Sequence, residues 1–110
     1  MAYQTQHMAQ APTREAVDAL PGATVLEFGT PWCGHCQQAQ PLIAQALEGR
    51  ADVAHLKIED GPGRPLGRSY GVKLWPTLVF LQGGQEVARL VRPQHSEAIA
   101  TALQAIAPQG

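Results

Sequence analysis

The sequence predicts an α/β protein, a central mixed sheet with helices on both faces. Three observations lead there. Short apolar runs bounded by Gly and Pro alternate with stretches of helical three–four periodicity. Their order is strand, helix, strand, short helix, hairpin, helix, which a mixed sheet between helices accommodates. The chain has 110 residues, 45% of them hydrophobic, which suits one domain over 1–110 with one hydrophobic core.

Each element has its own signal. Residues 1–12 are polar, and Tyr3 to His7 reads as a short edge strand. Thr13 is an N-cap, with Val17 and Leu20 on one helical face, and Pro21-Gly22 ends that helix. Thr24 to Phe28 is apolar on nearly every position, as in a central strand buried on both faces, with Glu27 the exception. A second helix begins near Cys33 and carries Ala39, Leu42, Ile43, Ala46 and Leu47 on its apolar side. Pro41 should kink it, and Gly49 should end it. Val53 to Ile58 is the next strand, and a short helix fits around Leu66 to Tyr70. Thr77 to Leu81 and Glu86 to Val91 form a hairpin about Gln82-Gly83-Gly84. Ser96 caps a last helix buried through Ile99, Leu103 and Ile106.

Composition excludes several functions. Net charge is −1 and no Lys/Arg cluster exists, so neither nucleic acid nor an anionic membrane is an expected partner. The first residues have neither a basic nor an apolar region of the secretory kind, and no run is long enough to span a bilayer. The expected compartment is the cytoplasm and the expected state a monomer. No cofactor fingerprint is present.

Both cysteines fall within one four-residue stretch, so a bridge between them would constrain the unfolded chain little. In a reducing compartment such a pair is catalytic or metal-binding. Trp32-Cys33-Gly34-His35-Cys36 follows an apolar strand and opens a helix. Cysteines three apart on a first turn share one face. Cys33, at the helix N-terminus, is favoured as the thiolate nucleophile, and Cys36, one turn inward, as the resolving thiol. A protonated His35 between them would stabilise that thiolate further and make the pair more oxidising. Zinc would need two more ligands, and His7, His55 and His95 show no ligand spacing, so no metal site is expected.

Glu27-Phe28 followed by Pro31-Trp32-Cys33-Gly34-His35-Cys36 is similar to the active-site strand and motif of protein disulfide isomerase domains. Tyr70-Gly71-Val72 to Trp75-Pro76-Thr77 resembles the loop before the cis-proline of the thioredoxin superfamily. Over nearly its full length the chain resembles that superfamily. The resemblance implies the thioredoxin fold and a thiol–disulfide oxidoreductase acting on protein disulfides. It makes Pro76 the cis-proline beside the active-site pair, Pro41 the helix-kinking proline and Gly84 the glycine of the last hairpin. It places Glu27 as a buried acid beneath Cys36. Burial should raise its pKa toward neutrality, making it a proton acceptor for Cys36. Electrons must come from a partner, either a thiol or a flavin-dependent reductase.

The departures concern substrate choice and charge. His55 stands where many relatives carry a partly buried lysine; it alters the charge near Glu27, or else is a strand histidine with no duty. Trp75 precedes the cis-proline in place of a smaller aliphatic residue, and Arg92-Pro93 replaces a glycine-containing loop. Trp32, Gly34, Trp75, Pro76 and Arg92 are thus the expected substrate contacts. The competing function is a non-catalytic adaptor or chaperone-like module on the same fold.

Overall fold

The computed structural model describes residues 3–108. In chain order it contains α1 (Arg14–Asp18), β1 (Ala23–Gly29), α2 (Gly34–Leu47), β2 (Val53–Glu59), α3 (Pro65–Ser69), β3 (Thr77–Gln82), β4 (Gln85–Val91) and α4 (Ser96–Ile106). The strands lie side by side as β2-β1-β3-β4. β1 pairs parallel with β2 and antiparallel with β3, and β4 closes the hairpin antiparallel to β3. Glu27 thus lies level with Lys57 on one side and Leu78 on the other.

Alternation along each strand divides the interior in two. Val25, Leu78 and Phe80 face Ala39, Ile43 and Leu47 of α2 and Ile99, Leu103 and Ile106 of α4. Leu26, Phe28, Ile58, Val79 and Leu81 face Val17 of α1 and Leu66 and Tyr70 at α3. Helices therefore cover both faces, as the periodicities require.

Local chemistry explains the element ends. Thr13 Oγ1 accepts the Ala16 N–H at 3.1 Å and starts α1. Pro65 opens α3, where its missing N–H costs nothing. Gly49, at φ +72°, follows the last turn of α2 in the left-handed region that glycine tolerates. At Gly84 any side chain is excluded, because a Cβ would lie 2.0 Å from the Asp18 carbonyl oxygen. The β3–β4 turn thereby seats on the end of α1.

Two expectations about the elements need correction. Residues 3–7 form no strand. The segment instead crosses the open edge of β2, held by one backbone bond from Met8 N–H to Lys57 O at 2.8 Å and otherwise by side chains. Ser96 is the first residue of α4, not its cap. His95 takes the cap position with extended backbone and makes no side-chain cap bond.

Candidate active site

β1 ends at Gly29, and three residues later the chain turns into α2. Cys33 is the N-cap of that helix, with extended φ and ψ. Its Sγ accepts the Cys36 N–H at 3.2 Å, satisfying one of the donors that a helix start leaves open. Both cysteines are free thiols and both are buried, Cys33 to 9% exposure and Cys36 to 4%. Gly29 makes room for this turn: a Cβ there would stand 2.5 Å from Cys36 Sγ. Burial, the hydrogen bond with Cys33, and the charges of Cys33 and Glu27 push the Cys36 thiol up to about 12, against a lowering contact from the Thr30 backbone. Pro41 lies inside α2 and has no N–H to give to the preceding turn.

Beneath α2, Glu27 is 2% exposed. Its Oε1 lies 2.8 Å from His55 Nε2, its Oε2 accepts from Gln40 Nε2 at 2.8 Å, and Lys57 Nζ stands 3.9 Å from Oε2. Gln40 is saturated. Its Nε2 donates also to the Cys36 carbonyl at 2.8 Å, while its Oε1 accepts from Lys57 Nζ and from the Tyr3 hydroxyl, both at 2.8 Å. Reversing the amide would set its NH₂ against the Lys57 ammonium and its oxygen against the Glu27 carboxylate, so the network fixes its orientation.

This arrangement corrects the expectation for Glu27. Burial raises its pKa, but hydrogen bonds from His55 and Gln40, with the charge of Lys57 and that of the His55 ring when protonated, outweigh burial and hold it below the ordinary 4.5. The carboxylate is kept charged, not brought toward neutrality. Of the two readings of His55, a group that alters the charge near Glu27 or a strand residue without a duty, the structure shows the contact the first requires: its ring lies directly against the acid.

The second half of the site comes from two loops. The Trp75–Pro76 bond is cis. Trp75 Nε1 donates to Asp60 Oδ2 at 2.8 Å, and its ring meets Trp32 edge-on with centroids 5.7 Å apart. Trp32 is 71% exposed. Asp60 packs against Gly67, where a Cβ would fall 2.2 Å from the carboxylate. Arg92, at φ +51°, donates its backbone N–H to Pro76 O at 3.0 Å and its Nε to Trp75 O at 2.9 Å. His35 is exposed on the first turn of α2 and shares a shallow cleft with Gln38, Arg92, Pro93 and Gln94. A Cβ at Gly34 would meet nothing, so the space beside that residue is open.

The structure therefore gathers Cys33, Cys36 and Gly34 at one helix start with Trp32 just before it, Trp75, Pro76 and Arg92 on neighbouring loops, and Glu27 below. Sequence reasoning missed Gln40, Lys57, Gly29 and Asp60. Two signals for them exist: Lys57 repeats His55 at the strand period of two, and Gln40 sits one helical turn beyond Cys36. Among the described residues no group of three or more His, Cys, Asp or Glu is placed to hold a metal ion.

A capped thiol with a second thiol one turn behind it, set at the end of the central strand of this sheet, is the layout of the thioredoxin fold. Over residues 4–105 the chain matches the family described as Thioredoxin. The solved structure of reduced thioredoxin 2 from Pseudomonas aeruginosa PAO1 is 53% identical and covers 98% of this chain and 100% of that one, with a TM-score of 0.86. Thioredoxin H2-1 of Oryza sativa is 33% identical over 73 residues, 66% of this chain and 53% of that protein. Protein disulfide-isomerase A2 of Pongo abelii is 37% identical over 84 residues, 71% of this chain and 16% of that protein. The chain thus spans about half the length of the rice thioredoxin and about a sixth of the isomerase. It belongs to the thioredoxin family.

Proposed function

We propose that the chain is a thiol–disulfide oxidoreductase that reduces or exchanges disulfides in protein substrates. One observation carries this reading: Cys33 Sγ caps a helix and takes the N–H of Cys36, whose own thiol is buried one turn behind. The capping N–H and the helix dipole favour negative charge on Cys33 sulfur.

Cys33 thiolate attacks one sulfur of the substrate disulfide. That S–S bond breaks, and the departing substrate sulfur takes a proton from solvent. A mixed disulfide with Cys33 remains. Cys36 then loses its proton and attacks Cys33 Sγ. The Cys33–substrate bond breaks, the second substrate sulfur leaves and is protonated, and a Cys33–Cys36 disulfide forms. The substrate has gained two electrons, which a thiol or flavin-dependent reductase must return to the pair.

Cys36 is easier to ionise at the second step than in the reduced protein. Two of the influences that raise it, the Cys33 hydrogen bond and the Cys33 charge, vanish once Cys33 is in the mixed disulfide. Glu27 is the proton acceptor. A cleft of about 180 Å³ lined by Thr30, Cys36, Gln40 and Lys57 has room for water between the thiol and the acid's partners. Because its pKa is held below the ordinary 4.5, Glu27 carries no proton of its own at neutral pH.

Trp32, Gly34, Trp75, Pro76 and Arg92 form the substrate surface, with Arg92 and Trp75 deciding which chains fit. His35, between the two cysteines in sequence, makes the pair a stronger oxidant by favouring its reduced form. We place this activity in the cytoplasm and in a monomer. No helix among the described residues is long and apolar enough to cross a membrane.

The test is reduction of insulin by dithiothreitol. The wild type should accelerate it, Cys33→Ser should abolish the acceleration, and Cys36→Ser should accumulate a mixed disulfide with substrate. A wild type without activity, or a Cys33→Ser variant that retains it, would exclude the enzyme and leave a binding module.

A further inference from the structure

The acid beneath Cys36 is reached from outside by an unexpected element, the segment before α1. The Gln4 backbone N–H donates to His55 Nδ1 at 2.8 Å. The Tyr3 ring stacks on the His55 ring, with centroids 5.6 Å apart and planes 18° from parallel. The Tyr3 hydroxyl donates to Gln40 Oε1, and Lys57 Nζ reaches the Thr5 carbonyl at 3.4 Å. With the Met8 bond to β2, the segment is tied to each side chain that touches Glu27.

Hydrogen-bond bookkeeping then decides the state of the ring. A nitrogen that accepts an N–H carries no proton of its own, so a neutral imidazole bonded this way holds its single proton on the other nitrogen. That nitrogen, Nε2, lies 2.8 Å from Glu27 Oε1. A second proton, on Nδ1, would set two N–H groups against each other in a buried place.

We infer that the N-terminal segment is a positioning element for the buried acid: the Gln4 N–H holds His55 as a neutral ring that can only donate to Glu27. The inference rests on the oxidoreductase reading above. Its consequence is chemical. A neutral donor keeps the carboxylate in place and leaves it able to accept a proton from Cys36. An imidazolium at the same distance would bind the carboxylate as a charge-assisted pair and make it a poorer acceptor. The charged and titratable groups facing His55 and Glu27 are few. They are Lys57 on β2, Cys36 on α2, and Tyr3 and His7 on the segment itself, the last lining the Cys36 cleft. Burial and the Glu27 charge raise the Tyr3 phenol, which keeps it a donor to Gln40.

The test separates the backbone N–H from the rest of residue 4. In ¹⁵N-labelled wild type at neutral pH, nitrogen shifts should show the His55 proton on Nε2 alone. Gln4→Ala keeps the N–H and should leave both that pattern and the pH profile of insulin reduction unchanged. Gln4→Pro removes it. The Nε2-only proton pattern of His55 should then be lost, and insulin reduction at about pH 6 should fall roughly threefold below Gln4→Ala. Adding His55→Gln to Gln4→Pro removes the ring and should restore the profile. A wild-type proton on Nδ1, or coincident profiles for Gln4→Pro and Gln4→Ala, would overturn the inference. A wild type unable to reduce insulin would instead remove the oxidoreductase reading, and the ring-proton measurement would still decide the tautomer.

Discussion

On the α1 and α3 side of the sheet, Leu26, Phe28, Ile58, Val79 and Leu81 meet Val17, Leu66 and Tyr70 in an apolar cluster. The α2 and α4 side begins the same way, with Val25, Leu78 and Phe80 against Ile43, Ile99 and Leu103. Toward the start of α2, however, β1 presents Glu27 and β2 presents His55 and Lys57, all buried, with His55 bonded to the acid directly and Lys57 joined to it through Gln40. Neighbouring residues of one strand thus serve opposite ends: Phe28 packs and Glu27 holds charge. A buried ionic cluster adds little stability against an apolar one of equal volume, because desolvation consumes most of the attraction. The difference teaches that one face supplies stability and the other gives up some of it for a reactive setting.

Three substitutions bear on that division. The largest effect belongs to the dry face. Phe28→Ala removes a fully buried ring and should cost about 3–5 kcal/mol by urea unfolding, while activity per folded molecule persists. Loss of activity before unfolding would mean that the faces are not separable. Glu27→Gln tests the wet face and should slow resolution of the mixed disulfide on the order of 10-fold or more near neutral pH. It also alters the response to acid. The folded pKa of Glu27 lies below the ordinary 4.5, so its contribution is complete above that value and is lost as pH falls through the folded one. Wild type should therefore lose stability more steeply than the variant as pH drops below about 4.5. Equal slopes in unfolding experiments at stepped pH would contradict this. The smallest change is Gly29→Ala, which forces Cys36 Sγ away from a new Cβ and should cost roughly 1–3 kcal/mol. Disulfide formation under oxidant should slow in parallel. An unchanged rate would show that the Cys36 position tolerates the shift.

Much of the architecture was legible in the residues. Period-two and period-three-to-four patterns marked the strands and long helices, and the dithiol declared itself through its spacing at a helix start. Glu27 stood out as one polar residue in an apolar strand. Its electrostatic state was not legible, because burial acts at once on any carboxylate whereas His55, Gln40 and Lys57 reach it only through the β1–β2 register and one turn of α2. The role of residues 3–8 was hidden for a related reason. They hold the edge of β2 mostly by individual side-chain bonds, a contact without periodicity. Asp60 was missed because its partner Trp75 lies in a different loop.

The central place of β1 has a consequence for biosynthesis. Its two neighbours are β2, which follows after α2, and β3, which arrives only in the last third of the chain with the Trp75–Pro76 loop. Arg92 comes later still. A nascent chain emerging from the ribosome would display its dithiol long before the walls that govern it exist. Controlled exchange with other proteins begins only once β3, β4 and Arg92 have emerged and folded into place.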